Sequence, residues 1–461
     1  MALLDSTDPR PVHFVGIAGA GMRALAELVV RRGVPVTGCD TAVGDAADLA
    51  RLGVTLMAGH DPAHVAGARA VVVTSAMRRD HPELRAAADA GVPIIRRAEA
   101  LGEAVQGGTV VGVSGTHGKT TTTVMTTEAL HAAGLQPTGI AGGRVGPWGG
   151  NLRPGGAALY VVEADEYDRS FLALRPTVAV VTNVEADHLD IYRDLDDIRQ
   201  AFRQFLAPAR HVVLCADDPG AASLCIPPTA EVLRYGVASR EARVTGGMRA
   251  LGDGRTVVTV AFDGEVLGDL ALRVPGVHNV RNALAAVASG LALGATLDGM
   301  RAGLEAFPGV ERRFQSLGHA HGIDVIDDYA HHPTEVAATI AAARERFPGR
   351  RLVVAFQPHL YSRTRDFADD FAEALAAGDA VFLTALYPSR EPPLPGVTAA
   401  LIADRMVLAG RAPAWTGERT EAAAALAAFV REGDVVVTMG AGDITRTGPE
   451  LLQLLAARAT A

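Results

Sequence analysis

The residues best suited to chemistry form the run Gly115–Thr121, which reads Gly-Thr-His-Gly-Lys-Thr-Thr. The apolar segment Val110–Val113 precedes it and a helical pattern follows, as in loops whose backbone N–H groups surround a phosphate. Lys119 adds a mobile positive charge, and the hydroxyl of Thr120 is placed to coordinate Mg²⁺. Val113 stands where the general phosphate loop has its first glycine, so the spacing is a shortened form of that motif.

Carboxylates follow the next apolar segments along the chain. The run Glu163–Asp168 comes directly after Leu159–Val162, where acids suit Mg²⁺ held against nucleotide phosphates. A solvated acidic loop is the alternative, because Asp and Glu are common in turns. His188, flanked by Asp187 and Asp190, follows another such segment and could bind a metal or cap a helix.

A second glycine turn lies near the start of the chain, with Gly16, Gly19 and Gly21 between a predicted strand and a predicted helix. Asp40 follows the next strand, where a dinucleotide fold has its ribose-binding acid. The spacing is G-x-x-G-x-G rather than G-x-G-x-x-G, which leaves a purely structural turn open. The pattern favours a nucleotide diphosphate without specifying NAD.

Two histidine-bearing blocks, Asp327–Pro333 and Phe356–Arg363, follow strands in the last third. Both therefore lie at the strand-end edge where α/β folds collect ligands. Contacts from His359, Arg363 and Arg365 to phosphate or carboxylate are favoured, because arginine matches those anions with two hydrogen bonds. Zinc is disfavoured, because no third or fourth ligand stands at fixed spacing.

The 461 residues are too many for one hydrophobic core and indicate about three domains. Lys plus Arg number 43 and Asp plus Glu 52, a net charge of −9 that argues against a protein built to grip nucleic acid. Three distant cysteines without a C-x-x-C pair argue against a disulfide scaffold and a cysteine-built zinc site. With no membrane-spanning segment or signal peptide in the sequence, we expect a cytoplasmic location.

Strand-like runs alternate with Ala-rich helical stretches, which predicts α/β architecture with largely parallel sheets. A helix is expected from Ala20 to Arg32, and a β-rich region from Arg243 to Val274 with a hairpin at residues 252–254. Predicted strands are Val12–Ile17, Val34–Gly38, Ala70–Thr74, Val92–Ile95, Thr109–Val113, Ala157–Val162, Val178–Thr182, His211–Cys215, Asp324–Ile326, Arg351–Ala355, Ala380–Leu383 and Asp434–Met439.

Taken in order, these motifs closely resemble those of the Mur ligases. The resemblance rests on residues 13–22, 115–121, 163–166, 182–183, 187–190, 278–282, 312–314, 327–334 and 356–364. It covers nearly the whole chain, and the shortened phosphate loop is the family's own form.

The resemblance implies three domains, which we place at residues 1–106, 107–310 and 311–461. The first would be Rossmann-like and hold a UDP-sugar, the second a P-loop ATPase-type parallel sheet, and the third again Rossmann-like. The implied reaction uses ATP and Mg²⁺ to join L-alanine to the lactyl carboxylate of UDP-N-acetylmuramic acid through an acyl phosphate, in peptidoglycan precursor synthesis. It implies neither a nucleic-acid nor a membrane partner, and leaves monomer and dimer open.

The resemblance also implies roles for particular residues. Lys119, Glu163, His188 and Arg313 would be catalytic, and Thr120, Glu163 and His188 would bind metal. The ATP-binding set is Gly115, Thr116, His117, Gly118, Lys119, Thr120, Thr121, His278, Asn279, Asn282, Asp327 and Asp328. The UDP-sugar set is Gly16, Gly19, Gly21, Thr74 and Ser75, and the substrate and alanine set is Tyr329, His331, His359 and Arg363.

Two positions depart from the family pattern. Many relatives have Arg where this chain has Leu360, which bears on how much of the alanine carboxylate Arg363 binds. Several Mur ligases carry a carbamylated lysine where this chain has Phe202, so we predict no carbamylated lysine.

Three other functions compete with this interpretation. The first is a recycling ligase that adds a preformed tripeptide to the same UDP-sugar, which the Phe356–Thr364 block disfavours. The second is an NAD-dependent oxidoreductase, which would leave the Gly115–Thr121 loop without a role. The third is a non-catalytic UDP-sugar sensor, disfavoured because Lys119, Thr120 and Glu163 are all present.

Overall fold

The computed structural model describes residues 3–74, 77–78, 80–189, 191–250, 255–389 and 391–458. The predicted hairpin at 252–254 and the candidate residue Ser75 lie outside these ranges. Two compact units make up the fold: the first comprises Met1–Gly247, Thr259–Gly268 and Arg281–Glu305, and the second Met248–Val258, Asp269–Val280 and Ala306–Ala461. The predicted boundaries at residues 106 and 310 stay predictions.

The α/β class and the three-domain organisation are confirmed, with one β-sheet in each domain. The N-terminal sheet has the order β3-β2-β1-β4-β5 and is parallel throughout. Its strands are β1 (Val12–Val15), β2 (Val36–Asp40), β3 (Thr55–Ala58), β4 (Ala70–Val73) and β5 (Ile94–Arg96). Its helices are α1 (Ala20–Arg31), α2 (Ala47–Ala50), α3 (Pro82–Asp89) and α4 (Arg97–Val105), with 3₁₀ turns at Val43–Ala46 and Pro62–Val65.

The central sheet has ten strands in the order β15-β14-β13-β12-β11-β10-β6-β9-β7-β8. Its strands are β6 (Thr109–Ser114), β7 (Thr138–Val145), β8 (Gly150–Arg153), β9 (Leu159–Glu163), β10 (Val178–Val181), β11 (His211–Cys215), β12 (Glu231–Gly236), β13 (Val244–Ala250), β14 (Thr256–Phe262) and β15 (Glu265–Leu272). Its helices are α5 (Lys119–Ala132), α6 (Leu195–Leu206), α7 (Pro219–Ala222), α8 (Val277–Ala292) and α9 (Leu297–Ala306), with 3₁₀ turns at Gly146–Trp148 and Tyr167–Ala173. The strands around β6 are parallel, whereas β8 is antiparallel to β7, so the sheet is mixed.

The C-terminal sheet has the order β16-β17-β21-β18-β19-β20, and only its edge strand β16 is antiparallel to its neighbour. Its strands are β16 (Gln315–Ala320), β17 (Ile323–Asp328), β18 (Leu352–Phe356), β19 (Ala380–Thr384), β20 (Trp415–Gly417) and β21 (Val435–Met439). Its helices are α10 (Pro333–Arg346), α11 (Tyr361–Asp366), α12 (Ala368–Leu375), α13 (Ala400–Leu408), α14 (Arg419–Phe429) and α15 (Thr447–Arg458), with a 3₁₀ turn at Asp443–Arg446.

Continuous apolar runs form the central strands because helices cover both faces of a parallel sheet. Every residue of β1, β4, β10 and β18 is buried. The amphipathic helix α6 begins where the Asp194 carboxylate accepts a hydrogen bond from the Asp197 N–H at 2.9 Å. Its buried residues include Phe202 and Phe205, and the Phe205 ring lies against Gly112 of β6.

Phe202 belongs to an aromatic cluster at the position where several Mur ligases carry a carbamylated lysine. Its side chain is fully buried, and its ring lies 5.2 Å from that of Phe171, which stacks in turn on Phe205 at 5.0 Å. Lys119 is the only lysine in the sequence, so the chain offers no second lysine amine that could form a carbamate.

No helix among the described residues is both long enough and apolar enough to cross a membrane.

Helix α9 packs against the backbone of α5, the helix that begins at Lys119. A Cβ atom at Gly303 would lie closer than 3.0 Å to the carbonyl oxygen of Glu128, whereas one at Gly299 in the same helix would meet its nearest atom at 3.4 Å. The close approach therefore requires glycine at position 303 and not at position 299.

We expect Gly303→Ala to lower the free energy of unfolding by about 1–3 kcal/mol, because the overlap is with backbone that must shift. Gly299→Ala is the matched control and should be neutral or stabilising within about 1 kcal/mol, because alanine favours the helix. Urea unfolding of both variants measures the difference. Equal destabilisation of the two variants would contradict the close packing of α9 on α5.

Candidate active site

The glycine loop joins β6 to α5 and adopts a backbone that only glycine fits. Gly115 has φ of +135° and Gly118 has φ of +79°. A Cβ at Gly115 would overlap the side-chain oxygen of Thr182, and one at Gly118 would lie 2.7 Å from Oδ1 of Asn282. The two glycines therefore let the loop backbone pack closely against Thr182 and Asn282 just before α5 begins at Lys119.

Two residues after β10 hold the loop in place. The Thr182 hydroxyl donates to the carbonyl oxygen of His117 at 2.6 Å, and Nδ2 of Asn183 donates to the same oxygen at 3.1 Å. In return, the His117 N–H donates to Oδ1 of Asn183 at 2.7 Å. The loop is thus ordered by side chains from a neighbouring parallel strand, which reduces the entropy lost when a phosphate binds.

Lys119 lies inside a cluster of oxygens at the start of α5. Its Nζ atom donates to the carbonyl oxygens of Gly115 at 2.7 Å and Thr116 at 3.2 Å, and to Oε1 of Glu166 at 2.9 Å. Burial disfavours the charged amine, but the negative charges of Glu166 and Asp165 outweigh it and raise the pKa of Lys119 above its ordinary value. The side chain is therefore a permanent cation beside the loop.

Glu163 ends β9 next to the hydroxyl of Thr120. Its Oε1 accepts a hydrogen bond from Thr120 Oγ1 at 3.0 Å, and its Oε2 accepts one from the Gly142 N–H at 2.5 Å. Burial raises the pKa of Glu163, because the charged form loses hydration. A hydroxyl and a carboxylate side by side at a phosphate loop are hard oxygen ligands of the kind that Mg²⁺ prefers.

His188 and two acids form a second group that could hold a divalent metal. One ligand atom each from Asp165, Glu166 and His188 lie within 4.8 Å of one another, and His188 Nε2 lies 3.7 Å from Glu166 Oε1. His188 has φ of +53°, a strained conformation for a non-glycine residue that is concentrated at functional sites. The predicted catalytic residues Lys119, Glu163 and His188 are thus gathered at the C-terminal ends of β6, β9 and β10.

Helix α8 carries the three residues predicted for the adenine side. The Asn282 Oδ1 accepts a hydrogen bond from the hydroxyl of Thr122 at 3.1 Å, which ties this helix to α5 beside Gly118. Nδ2 of Asn279 donates to the Pro275 carbonyl oxygen at 2.7 Å and stabilises the first turn of α8, which also contains His278.

A cavity of about 330 Å³ opens beside the N-terminal glycine turn. Its lining includes the predicted residues Gly16, Gly19, Gly21 and Thr74, together with Arg97, Gly142, Glu163 and Asp165. The cavity therefore extends from the glycine turn of the first domain to the acids of the central domain. Asp40 accepts a hydrogen bond from the Ala18 N–H of this turn at 3.0 Å, and its other oxygen accepts one from the Ala42 N–H after β2 at 2.9 Å.

The two acids predicted in the C-terminal domain both accept hydrogen bonds from that domain itself. Asp327 has no exposed surface, and its two oxygens accept hydrogen bonds from the hydroxyls of Thr438 at 2.7 Å and Thr445 at 2.8 Å. Asp328 accepts from the N–H groups of Phe314 at 2.6 Å and Ala330 at 2.7 Å, and burial raises its pKa to about 6. A contact of either acid with ATP stays a prediction.

The residues predicted for the alanine end lie together in the C-terminal domain. His331 Nδ1 lies 2.9 Å from the carbonyl oxygen of Tyr329, and its ring is 6.0 Å from that of His359. Arg363 Nη1 lies 3.5 Å from His359 Nδ1. Arg363 is almost fully buried. One cation and two imidazole rings therefore lie together at this edge of the sheet.

Arg313 lies at the same edge. Its guanidinium is 5.1 Å from the centre of the Tyr329 ring, and its Nη1 is 3.5 Å from Glu335 Oε1. The carboxylate and the ring hold the arginine in a defined orientation, as a positioned anion-binding group requires.

Sequence reasoning missed Arg97, Gly142 and Tyr387. Arg97 lines the cavity next to Gly21, and Tyr387 stacks on His359 with ring centres 5.8 Å apart. An arginine at the start of a helix after a strand was the only available signal for Arg97. Gly142 contributes a backbone N–H and Tyr387 lies in a loop, so neither has a motif that identifies it.

Three family models match the chain in order. The Mur ligase family, catalytic domain, matches residues 11–109; the Mur ligase middle domain matches 113–290; and the Mur ligase, glutamate ligase domain, matches 312–442. Among curated relatives, UDP-N-acetylmuramate--L-alanine ligase of Kineococcus radiotolerans is 46% identical over 455 residues, covering 97% of this chain and 96% of the relative.

Solved structures agree with the sequence matches. The UDP-N-acetylmuramate-alanine ligase of Thermotoga maritima superposes with a TM-score of 0.82 at 31% identity, covering 98% of this chain and all of that one. A murein peptide ligase of Psychrobacter arcticus superposes with a TM-score of 0.70 at 24% identity, covering 97% and 98%, which shows a shared fold.

Glu166 gives the site a testable pH dependence. Burial raises the pKa of its carboxyl to about 7, from an ordinary value of 4.5. The proton is therefore held more tightly in the folded state, and its stabilising effect is lost as the pH rises through about 7. We expect the free energy of unfolding of the wild type, relative to Glu166→Gln, to fall between pH 5 and 8 by at most about 1.4 kcal/mol per pH unit.

Urea unfolding at several pH values measures this difference, with the exposed Glu432→Gln as the matched control. A difference curve for Glu166→Gln as flat as that of the control would contradict the raised pKa.

Proposed function

The chain belongs to the Mur ligase family, and from this membership we propose that it joins L-alanine to the lactyl carboxylate of UDP-N-acetylmuramic acid at the expense of ATP. This reaction belongs to the synthesis of the peptidoglycan precursor. Because ATP and UDP-sugars are cytoplasmic metabolites, we assign the reaction to the cytoplasm.

The chemistry proceeds in two steps. A carboxylate is a poor acceptor for an amine, so a lactyl oxygen first attacks the γ-phosphorus of ATP, which gives an acyl phosphate and releases ADP. The alanine nitrogen then attacks the acyl carbon, a proton leaves the nitrogen, and the tetrahedral intermediate expels inorganic phosphate. Both steps depend mainly on positioning anions together and stabilising charge on the phosphoryl group.

The observation that supports this function best is the double contact of Glu163. It lines the cavity next to the N-terminal glycine turn, and it also accepts the hydrogen bond of Thr120 in the phosphate loop. A UDP-sugar bound at that turn would direct its lactyl carboxylate toward the same acid that faces the nucleotide. The reacting carboxylate and the γ-phosphate would then share one metal-binding edge.

The residues of the central domain would have two roles, contacting the phosphates and binding metal ions. Lys119 would neutralise charge on the β- and γ-phosphates, with the loop N–H groups completing the contacts. Thr120 and Glu163 would bind one Mg²⁺, which supplies positive charge to the phosphoryl group. His188, with Asp165 and Glu166, would bind a second metal near the acyl phosphate.

The C-terminal domain would supply groups for the amino acid and the transferring phosphate. Arg313 would contact phosphate, and Arg363 with His359 would bind the carboxylate of L-alanine. Tyr329 and His331 would line the same site, and Leu360 leaves the guanidinium of Arg363 as the main cation there.

The tripeptide-adding ligase is the rival with the same fold and first substrate. The two reactions differ only in the amine acceptor, so phosphate release with UDP-N-acetylmuramic acid, ATP and Mg²⁺ separates them when either L-alanine or the tripeptide is added. We expect release with L-alanine. Release with the tripeptide alone would overturn the proposed acceptor and keep the family chemistry.

The same assay tests Lys119. Its Nζ atom lies within 3.2 Å of three oxygens, a space that suits a compact ammonium and not a planar guanidinium. We expect Lys119→Ala and Lys119→Arg each to lower the rate at least about 100-fold, because alanine removes the charge at the phosphates and the planar guanidinium of arginine does not fit the space of the ammonium.

The exposed Arg51→Lys is the control for exchanging the two cations and should leave the rate unchanged. Lys119→Arg with more than a tenth of the wild-type rate would contradict the role of the ammonium.

Arg97 provides a separate test of the UDP-sugar site. We expect Arg97→Ala to raise the KM for UDP-N-acetylmuramic acid at least about tenfold, because the cavity loses a cation that pairs with an anionic substrate. Arg96→Ala is the matched control, because Arg96 does not line the cavity at the glycine turn, and its KM should change less than twofold. Equal effects of the two substitutions would contradict the placement of the substrate there.

A further inference from the structure

A buried carboxylate in the N-terminal domain is surrounded by imidazoles and a thiol. Glu83, in α3, has no exposed surface. The groups around it are His13, Cys39, His60, His64 and His81. None of these side chains belongs to the sites described above.

The contacts within this cluster are short. Oε1 of Glu83 lies 2.8 Å from Nδ1 of His64, and the Cys39 thiol donates to it at 3.1 Å. Oε2 lies 3.2 Å from the Cys39 sulfur and 3.5 Å from Nδ1 of His60. One carboxylate therefore joins a strand, a helix and two loop segments of the first domain.

His13 provides an independent observation. It lies in β1 with no exposed surface, and its Nδ1 is 2.9 Å from the hydroxyl of Thr37. Its Nε2 is buried and has no hydrogen-bond partner among the described residues, an arrangement that costs about 1–3 kcal/mol when nothing compensates it.

From this geometry we propose that His13, Cys39, His64 and Glu83 bind a divalent transition metal of the Zn²⁺ type. One ligand atom from each of the four lies within 4.8 Å of the others. Tetrahedral zinc with bonds of about 2.0–2.3 Å places its ligands roughly 3.3–3.8 Å apart, so small side-chain rotations complete the site. Nitrogen, sulfur and one carboxylate oxygen form a donor set for zinc, whereas Mg²⁺ prefers oxygen alone.

The surrounding groups complete such a site. The Thr37 hydroxyl holds Nδ1 of His13 and thereby leaves Nε2 as the ligand, the usual arrangement for a metal-binding histidine. The Cys39 thiol donates a hydrogen bond to Oε1 of Glu83 at 3.1 Å, so without metal the sulfur keeps its proton. Metal binding forms the sulfur–metal bond and releases that proton to solvent.

The site would brace the glycine turn of the first domain. The carbonyl oxygen of Cys39 accepts hydrogen bonds from the N–H groups of Gly16 at 2.8 Å and Ile17 at 3.1 Å. A metal at the Cys39 sulfur thus joins β1, β2, α3 and the 3₁₀ turn Pro62–Val65 directly below that turn.

The test uses the full-length chain, stripped with a chelator and kept in excess Mg²⁺ so that the oxygen-rich sites of the central domain are occupied. Zn²⁺ is then added as the single transition metal, and the zinc bound to the protein is measured after gel filtration. Co²⁺ then replaces Zn²⁺, because a thiolate–cobalt bond absorbs in the near ultraviolet and the other proposed metal sites contain no sulfur. We expect one Zn²⁺ per chain and this absorption band.

The band should disappear in Cys39→Ser and persist in Cys225→Ser, which alters an exposed cysteine. His64→Asn should weaken Zn²⁺ binding at least tenfold, while the exposed His131→Asn leaves Zn²⁺ binding unchanged. If Cys39→Ser does not fold, these two histidine variants test the proposed site. Absence of the band in the wild type, its survival in Cys39→Ser, or equal Zn²⁺ affinity of the two histidine variants would overturn the proposal.

Discussion

One buried ammonium among carboxylates is the interaction on which the central site depends. Lys119 lies at the start of α5, and Glu163, Asp165 and Glu166 surround it at the end of β9. In a medium of low dielectric constant, neither the cation nor the acids could remain charged alone, because the loss of hydration outweighs any single contact. Because β6 and β9 are neighbours in parallel register, the loop that carries Lys119 and the acids after β9 lie at the same edge of the central sheet.

The same acids connect the nucleotide loop to the first domain. Glu163 is shared between the cavity at the N-terminal glycine turn and the hydroxyl of Thr120, so a shift of β9 would disturb both. The neighbouring strand β7 fixes the other oxygen of this acid through the Gly142 N–H. The position of the Glu163 carboxylate therefore depends on β9 and on its contacts with β7 and α5.

Much of the fold could be predicted, because buried parallel strands are continuous apolar runs with glycine turns or helices after them. The strand His211–Cys215 was predicted with its observed ends, and Val12–Ile17 differs from β1 by two residues. The sequence did not reveal β7 or β16, since β7 is rich in glycine and β16, at a sheet edge, has no regular alternation and no buried residue. Propensity is weak at such edges, where pairing with a neighbour decides the conformation.

A candidate site is easiest to predict from the sequence where one loop carries its residues, and hardest where the chain brings distant residues together. Lys119, Thr120 and Glu163 follow recognisable strands, whereas Arg97 has no motif. The cluster around Glu83 is invisible in the cysteine spacing, because its members come from separate elements and only one is a cysteine.

The position of the only lysine has a practical consequence. A protease that cleaves solely after lysine has one target in the chain, the bond between Lys119 and Thr120, and that bond lies at the start of α5 inside the phosphate loop. Cleavage requires the loop to leave its oxygen cluster and the first turn of the helix to unwind, and it yields only fragments 1–119 and 120–461. The rate at which those two fragments form therefore reports the opening of a single loop, without any label attached to the protein.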